Sequence, residues 1–187
     1  MARLVHLNGA PGVGKSTLAR RWAADRPGTL VLDVDVLRTF VSGWTDDYSG
    51  AGALVRPVAL AAITAYLAQG RDVVLPQLVA RPEELARFSA AADGAGYRHL
   101  VLSAPVEVLI ARHRTRADSR DLDDPATAAA RQIAAHGRDD LIDGYREDLA
   151  ALVAADPATT VVETVDGDVD ATYAALLAAL GRGDVLR

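Results

Sequence analysis

Apolar positions along the chain fall in short runs that alternate with longer stretches of helical spacing. Residues 3–8 form one such run, closed by glycines, and over residues 16–25 the side chains Leu18, Ala19, Trp22 and Ala23 share one side of a helix. This order predicts strand, loop, helix. A second strand is predicted at residues 29–32, after the Pro27-Gly28 turn and before Asp33 and Asp35. Residues 54–69 read as a helix ended by Gly70. Strands at 72–75 and 98–102 then alternate with helices at 82–92 and 105–116, whose starts carry proline. After a polar stretch at 117–125, helices are predicted at 126–136 and 140–155, a last strand at 160–164 and a last helix at 169–180. Short apolar strands separated by helices imply a parallel sheet covered on both faces, with right-handed crossovers. The expected architecture is α/β in three layers around a five-stranded parallel sheet, with no internal repeat.

Composition narrows the picture. The chain of 187 residues is the size of one domain, and with 50% hydrophobic and 24% charged residues it can offset the entropy of folding. The absence of cysteine excludes disulfides, thiolate metal sites and a cysteine nucleophile. The first apolar run is far shorter than that of a signal peptide, and no apolar stretch is expected to approach the ~20 residues that cross a bilayer. A soluble cytoplasmic protein without a membrane partner is therefore expected. A net charge of −5 and a pI near 5.3 argue against nucleic acid as a partner. The charge is uneven: residues 117–170 hold 14 acids and 4 arginines, a balance of −10, which leaves +5 for the rest. An anionic small molecule suits that basic remainder. Of the 20 basic residues 19 are arginine, and the one lysine is Lys15.

Lys15 lies in Gly9-Ala10-Pro11-Gly12-Val13-Gly14-Lys15-Ser16, which matches GxxxxGKS in full between a predicted strand and a predicted helix. Glycines let the backbone turn its N–H groups around a phosphate, and the helix that follows, running on through Thr17, points its positive end at the same anion. Lys15 can reach the β- and γ-phosphates of ATP, and the Ser16 hydroxyl can ligate Mg²⁺. Here the sequence resembles the P-loop NTPases, and the three-layer P-loop fold follows as the implied architecture.

Asp33 and Asp35 stand at the carboxyl end of the second strand, the edge where a doubly wound sheet binds its ligands. If the chain is extended there, both carboxylates point one way. One could then hold a water of the metal shell while the other orients an acceptor hydroxyl and takes its proton. A helix cap at Asp35 is the competing reading. The arrangement resembles the P-loop small-molecule kinases: shikimate and gluconate kinases, chloramphenicol phosphotransferase and the phage polynucleotide kinase domain. That resemblance implies Asp35 as the base and Asp33 as the metal-side residue.

Arg112 and Arg116 lie one turn apart on the fourth main helix, and Arg120 follows in the polar segment Ala117-Asp118-Ser119-Arg120-Asp121. In kinases of this type, arginines at this helix end and in the mobile lid beyond it clamp ATP phosphates. The resemblance thus implies a short lid at about 112–125. Arg114 reads as a solvated residue and His113 as a surface or cap residue. The run 72–78, with Pro76 and Gln77 where many P-loop proteins carry an acid, resembles the tunicamycin-resistance ATP-binding proteins instead. The glycine-rich stretch 43–52, with Trp44, reads equally as a loop closing over an acceptor or as a surface loop. Arg56 is a candidate contact for an anionic substrate, and Asp166-Gly167-Asp168 a turn near the adenine or a plain turn.

The leading expectation is an ATP- and Mg²⁺-dependent kinase acting on a hydroxyl of a small molecule, as a monomer or homodimer. The alternative is an ATP-binding resistance or sequestration protein without turnover.

Overall fold

The computed structural model describes residues 1–119, 124–135 and 140–182. Five strands, β1 (Arg3–Gly9), β2 (Leu30–Val31), β3 (Val73–Leu75), β4 (Gly96–Ser103) and β5 (Thr160–Glu163), form one all-parallel sheet in the order β2-β3-β1-β4-β5. The helices are α1 (Lys15–Ala24), α2 (Val34–Arg38), α3 (Tyr48–Leu67), α4 (Pro82–Ala91), α5 (Val106–Ala117), α6 (Pro125–Ala135), α7 (Asp140–Ala155) and α8 (Val169–Arg182).

The two-residue period of β1 sorts the core. Val5 and Leu7 pack with Leu18 and Trp22 of α1 and Leu176 of α8 on one face of the sheet. Leu4 packs on the other face with Ile63 of α3 and Phe88 of α4. Leu149 and Leu152 of α7 join that second side against Val101. Helices therefore cover both faces, which gives the three-layer α/β arrangement expected. From the carboxyl ends of the strands, β1 leads across to β2 and β4 leads the opposite way to β5. That divergence opens the crevice in which such sheets bind ligands.

Two segments depart from the sequence reading. The helix expected from residue 54 begins at Tyr48, because the Asp47 carboxylate caps it by accepting the Gly50 N–H at 2.8 Å. Gly50 and Gly52 thus lie in the helix, and Pro57 lies within it too. The result is a 20-residue helix long and apolar enough to cross a membrane by length and composition, against the expectation that no stretch came close. One face of it, Val55, Ala59, Ile63 and Leu67, is packed into the core. The second departure is at Asp33: the chain turns there into α2 rather than staying extended, so Asp33, not Asp35, is the capping residue.

Candidate functional site

The glycine-rich loop joins β1 to α1 at the crevice. Gly9 approaches β4 so closely that a Cβ would lie 2.8 Å from the Leu102 carbonyl oxygen. Gly14, with φ of +100°, caps α1 in the left-handed region and turns the chain into the helix. Ala10 and Val13 are buried, Pro11 and Gly12 half-buried, and Thr17 exposed in the first turn of α1. Lys15 folds back over the loop, its Nζ donating to the Gly9 and Ala10 carbonyls at 2.8 and 3.0 Å. Burial lowers its pKa to about 8, with Asp35 and Asp33 acting in the opposite sense and Arg116 in the same sense. An incoming polyphosphate would replace two neutral carbonyls by full negative charge and hold this amine protonated.

Ser16 Oγ donates to Asp33 Oδ2 at 2.9 Å, and Asp33 Oδ1 accepts the Asp35 N–H at 3.0 Å. One carboxylate therefore ties the start of α1 to the start of α2. Among the described residues no group of three or more His, Cys, Asp or Glu could hold a metal by itself. The hydroxyl and carboxylate pair is nonetheless a hard-oxygen set of the kind Mg²⁺ takes when substrate phosphates complete its shell, so the residues present fit that ion.

Asp35 faces the loop from the first turn of α2. Its pKa is raised by burial first of all; Arg38 opposes the shift, Asp33 adds to it, and Lys15 and a hydrogen bond from Tyr48 oppose it. Arg38 Nη1 lies 2.9 Å from Asp35 Oδ1 and its guanidinium stacks 3.7 Å from the centre of the Tyr48 ring. The Tyr48 hydroxyl reaches Asp35 Oδ1 at 3.4 Å, and Trp44 leans on Tyr48 with ring centres 6.5 Å apart. Burial pushes the Tyr48 hydroxyl pKa up, and the Asp35 charge adds to it. Gly52 belongs to the same device: a Cβ there would come within 2.6 Å of Arg38 Nη2. Arg38, Tyr48 and Gly52 were missed by sequence reasoning, although Arg38 one helical turn after Asp35 was a visible signal.

On the opposite side of the loop, Arg112 of α5 donates to the Gly12 carbonyl at 3.1 Å and pairs with Asp166 at 2.5 Å. It links the loop to the turn before α8. Asp168 in that turn caps α8, its Oδ1 accepting the Ala171 N–H at 2.8 Å. Arg116 lies in the last turn of α5, where its charge is felt at Lys15. Arg131 of α6 donates to the Ala117 and Ser119 carbonyls at 3.2 and 2.6 Å, bracing the end of α5. Arg120 lies outside the described residues. His113 is buried, not at the surface. Arg56 is ion-paired to Glu84 of α4, so its charge is already engaged.

Beneath the loop runs a buried polar network that the sequence reading also missed. Pro76 has no N–H and ends the β3 ladder; the Asn8 side chain continues it, accepting from Val79 N at 3.0 Å and donating to Val79 O at 2.8 Å. Asn8 Oδ1 also accepts the Gly9 N–H at 2.8 Å. The second amide hydrogen goes to His99 Nε2 at 3.1 Å, so the His99 Nδ1–H donates to Thr159 Oγ at 2.8 Å, and the Thr159 hydroxyl donates to Asp156. His6 Nε2 donates to the Gln77 carbonyl at 2.9 Å and its Nδ1 accepts from the Tyr97 hydroxyl at 3.1 Å. Both histidines are thereby fixed as neutral tautomers. Polar residues at 6 and 8, on the core-facing alternation set by Leu4, were the readable trace of this network.

The fold and the site define a P-loop kinase-like protein with a nucleotide-binding loop. The chain belongs to the family described as an AAA domain, which matches residues 4–138. No curated protein matches it. Among solved structures it is similar to a tunicamycin resistance protein from Deinococcus radiodurans, at TM-score 0.65 and 16% identity over 97% of this chain and 96% of that one. It is also similar to a gluconokinase from Sinorhizobium meliloti 1021, at TM-score 0.61 and 20% identity over 97% and 92%. At these identities the likeness is one of fold.

Proposed function

We propose that the protein is an ATP- and Mg²⁺-dependent phosphotransferase that moves the γ-phosphoryl group of ATP to a hydroxyl of a small molecule in the cytoplasm. The observation that carries this reading is the chain of contacts from Ser16 through Asp33 to Asp35 beside Lys15. It sets a carboxylate with a raised pKa next to the phosphate cradle. The loop backbone of residues 9–17 and Lys15 hold the ATP phosphates. Ser16 and Asp33 would hold Mg²⁺, which would supply charge neutralisation at those phosphates. Asp35 orients the acceptor hydroxyl and takes its proton as the new oxygen–phosphorus bond forms and the bond to the bridging oxygen of ADP breaks. Arg112, Arg116 and Arg120 steady the charge in transit from a lid at about 112–125, whose first part, through residue 117, is the end of α5.

The fold shared with a tunicamycin resistance protein supports a second reading, an ATP-binding protein that sequesters a ligand without turnover. The pairing of Asp35 with Arg38, which leaves the carboxylate already partnered, favours it. One experiment separates the two. Sugars, nucleosides and antibiotics are screened for acceptor-dependent ADP release, with phosphorylated product confirmed by mass. Product selects the kinase; tight ligand binding without product selects sequestration.

A further inference from the structure

Asn8 is fully buried near the end of β1, yet every hydrogen-bonding position of its side chain is used. Its Oδ1 accepts the N–H groups of Gly9 at 2.8 Å and Val79 at 3.0 Å, and its Nδ2 donates to the Val79 carbonyl at 2.8 Å and to His99 Nε2 at 3.1 Å. Turned over, the amide would set its nitrogen against two N–H groups, so only one orientation serves. His99 maintains that orientation from the other side. Its Nε2 accepts only while the ring proton stays on Nδ1, and Thr159 Oγ1, 2.8 Å away, keeps the proton there because its own hydroxyl donates to Asp156 Oδ2 at 2.9 Å. The relay thus runs from half-buried Asp156, beyond α7, to the first residue of the phosphate loop.

We infer that Asn8 is a positioning residue for the nucleotide: with its amide set by His99 and Thr159, it holds the Gly9 end of the phosphate loop in register with residues 76–80. Gly9, at φ of +146°, is restrained on both sides, its N–H by Asn8 and its carbonyl by Lys15 Nζ at 2.8 Å. When Lys15 turns to a nucleotide phosphate the carbonyl restraint goes, and the Asn8 bond is what remains. The loop therefore depends on Asn8 more with nucleotide than without it, and a contact that differs between the two states changes affinity as well as stability. Residues 76–80 hang on β1 in the same way: Pro76 ends the ladder, His6 Nε2 donates to the Gln77 carbonyl at 2.9 Å, and Asn8 takes both backbone groups of Val79. This segment follows β3, the strand between β1 and β2, so Asn8 also sets the loop relative to the sheet edge that leads to Asp33 and Asp35. The inference rests on the nucleotide-binding loop of the proposed function and not on transfer to an acceptor.

The test reads ATP affinity by calorimetry with Mg²⁺ present, beside urea unfolding of the same full-chain preparations. Asn8→Ala should weaken ATP binding about tenfold, the worth of one lost hydrogen bond. In wild type ATP should slow hydrogen exchange at residues 78–80, and in Asn8→Ala it should not. Thr159 is buried just ahead of β5, two strands from β1. Thr159→Val keeps the shape of that side chain but removes the acceptor of the His99 proton; it should weaken ATP about threefold or more and move the ring-nitrogen chemical shifts of His99 toward the Nε2–H tautomer. Thr159→Ser restores the hydroxyl and should bind ATP within about twofold of wild type, with the Nδ1–H tautomer kept. If Asn8→Ala does not fold, the two Thr159 variants decide. Wild-type ATP affinity in a folded Asn8→Ala or Thr159→Val protein, however far its urea midpoint falls, makes the network purely structural and overturns the inference. So does a Thr159→Ser protein as weak as Thr159→Val, or exchange at residues 78–80 that ATP leaves unchanged in wild type. A screen that finds no phosphate acceptor leaves all of these readings in force.

Discussion

Acidification should destabilise this protein through its two buried histidines. Burial lowers the pKa of His6 to about 3, with neighbouring His99 and Lys15 adding to the effect and the hydrogen bond to Gln77 opposing it. Burial lowers His99 to about 4, against the pull of Asp156. An unfolded histidine titrates near 6.5, so below that pH the unfolded chain binds two protons that the native state refuses. Stability is then fully present above about pH 6.5 and falls as pH drops toward 4, by up to about 1.4 kcal/mol per pH unit for each histidine. At pH 5 the loss is about 2 kcal/mol each, and ~4 kcal/mol together is a large share of the 5–15 kcal/mol of a typical domain. Asp35, whose pKa is raised, works with the opposite sign and offsets part of the loss. Urea unfolding at pH 7, 6, 5.5 and 5 measures the slope directly. His6→Gln with His99→Gln should lower stability at pH 7 and flatten the slope. A wild-type stability constant from pH 7 to 5, or an equal slope in the double variant, would refute the argument.

Three further outcomes follow from the site. Lys15→Ala should abolish ATP turnover while the backbone cradle still holds nucleotide weakly, as read by ADP release and by calorimetry; wild-type turnover in the variant contradicts the assignment. Gly52→Ala should leave stability within about 1 kcal/mol, because the helix propensity gained by alanine offsets the displacement of Arg38. Once Arg38 is displaced, the acidic limb of the kcat/KM pH profile should move to higher pH, and an unmoved limb denies Arg38 its influence on Asp35. Hydrogen exchange across residues 112–119 and 124–125 should slow when ATP analogue and acceptor bind together, and unchanged exchange there, with core strands protected, speaks against a lid.

The order of strands and helices was legible because each buried strand is short, apolar and bounded by Gly, Pro or Asp, as at residues 29–32 and 72–75. The loop at 9–16 was legible for the same reason: its glycines, lysine and serine are contiguous, and their chemistry needs that spacing. What escaped was set by tertiary partners. Gly50 and Gly52 argue locally for a loop, yet an Asp47 cap starts the helix and the Arg38 guanidinium needs the missing Cβ of Gly52. His113 has the composition of a surface neighbourhood, Arg-His-Arg, and only the packing of α5 buries it. Asn8, His6 and His99 meet across 71 to 91 residues of chain, a pairing that no local pattern announces.

The claim that Asp35 performs the transfer chemistry is tested most directly by Asp35→Asn. Single-turnover phosphoryl transfer to the acceptor found by screening is compared with ATP affinity in the same preparation. The amide is isosteric, the helix cap belongs to Asp33 and stays in place, and the phosphate cradle is untouched. The account predicts a native fold, nearly normal ATP affinity and transfer slowed by about 10²- to 10⁴-fold. Transfer at the wild-type rate in a folded, ATP-binding Asp35→Asn protein would contradict it.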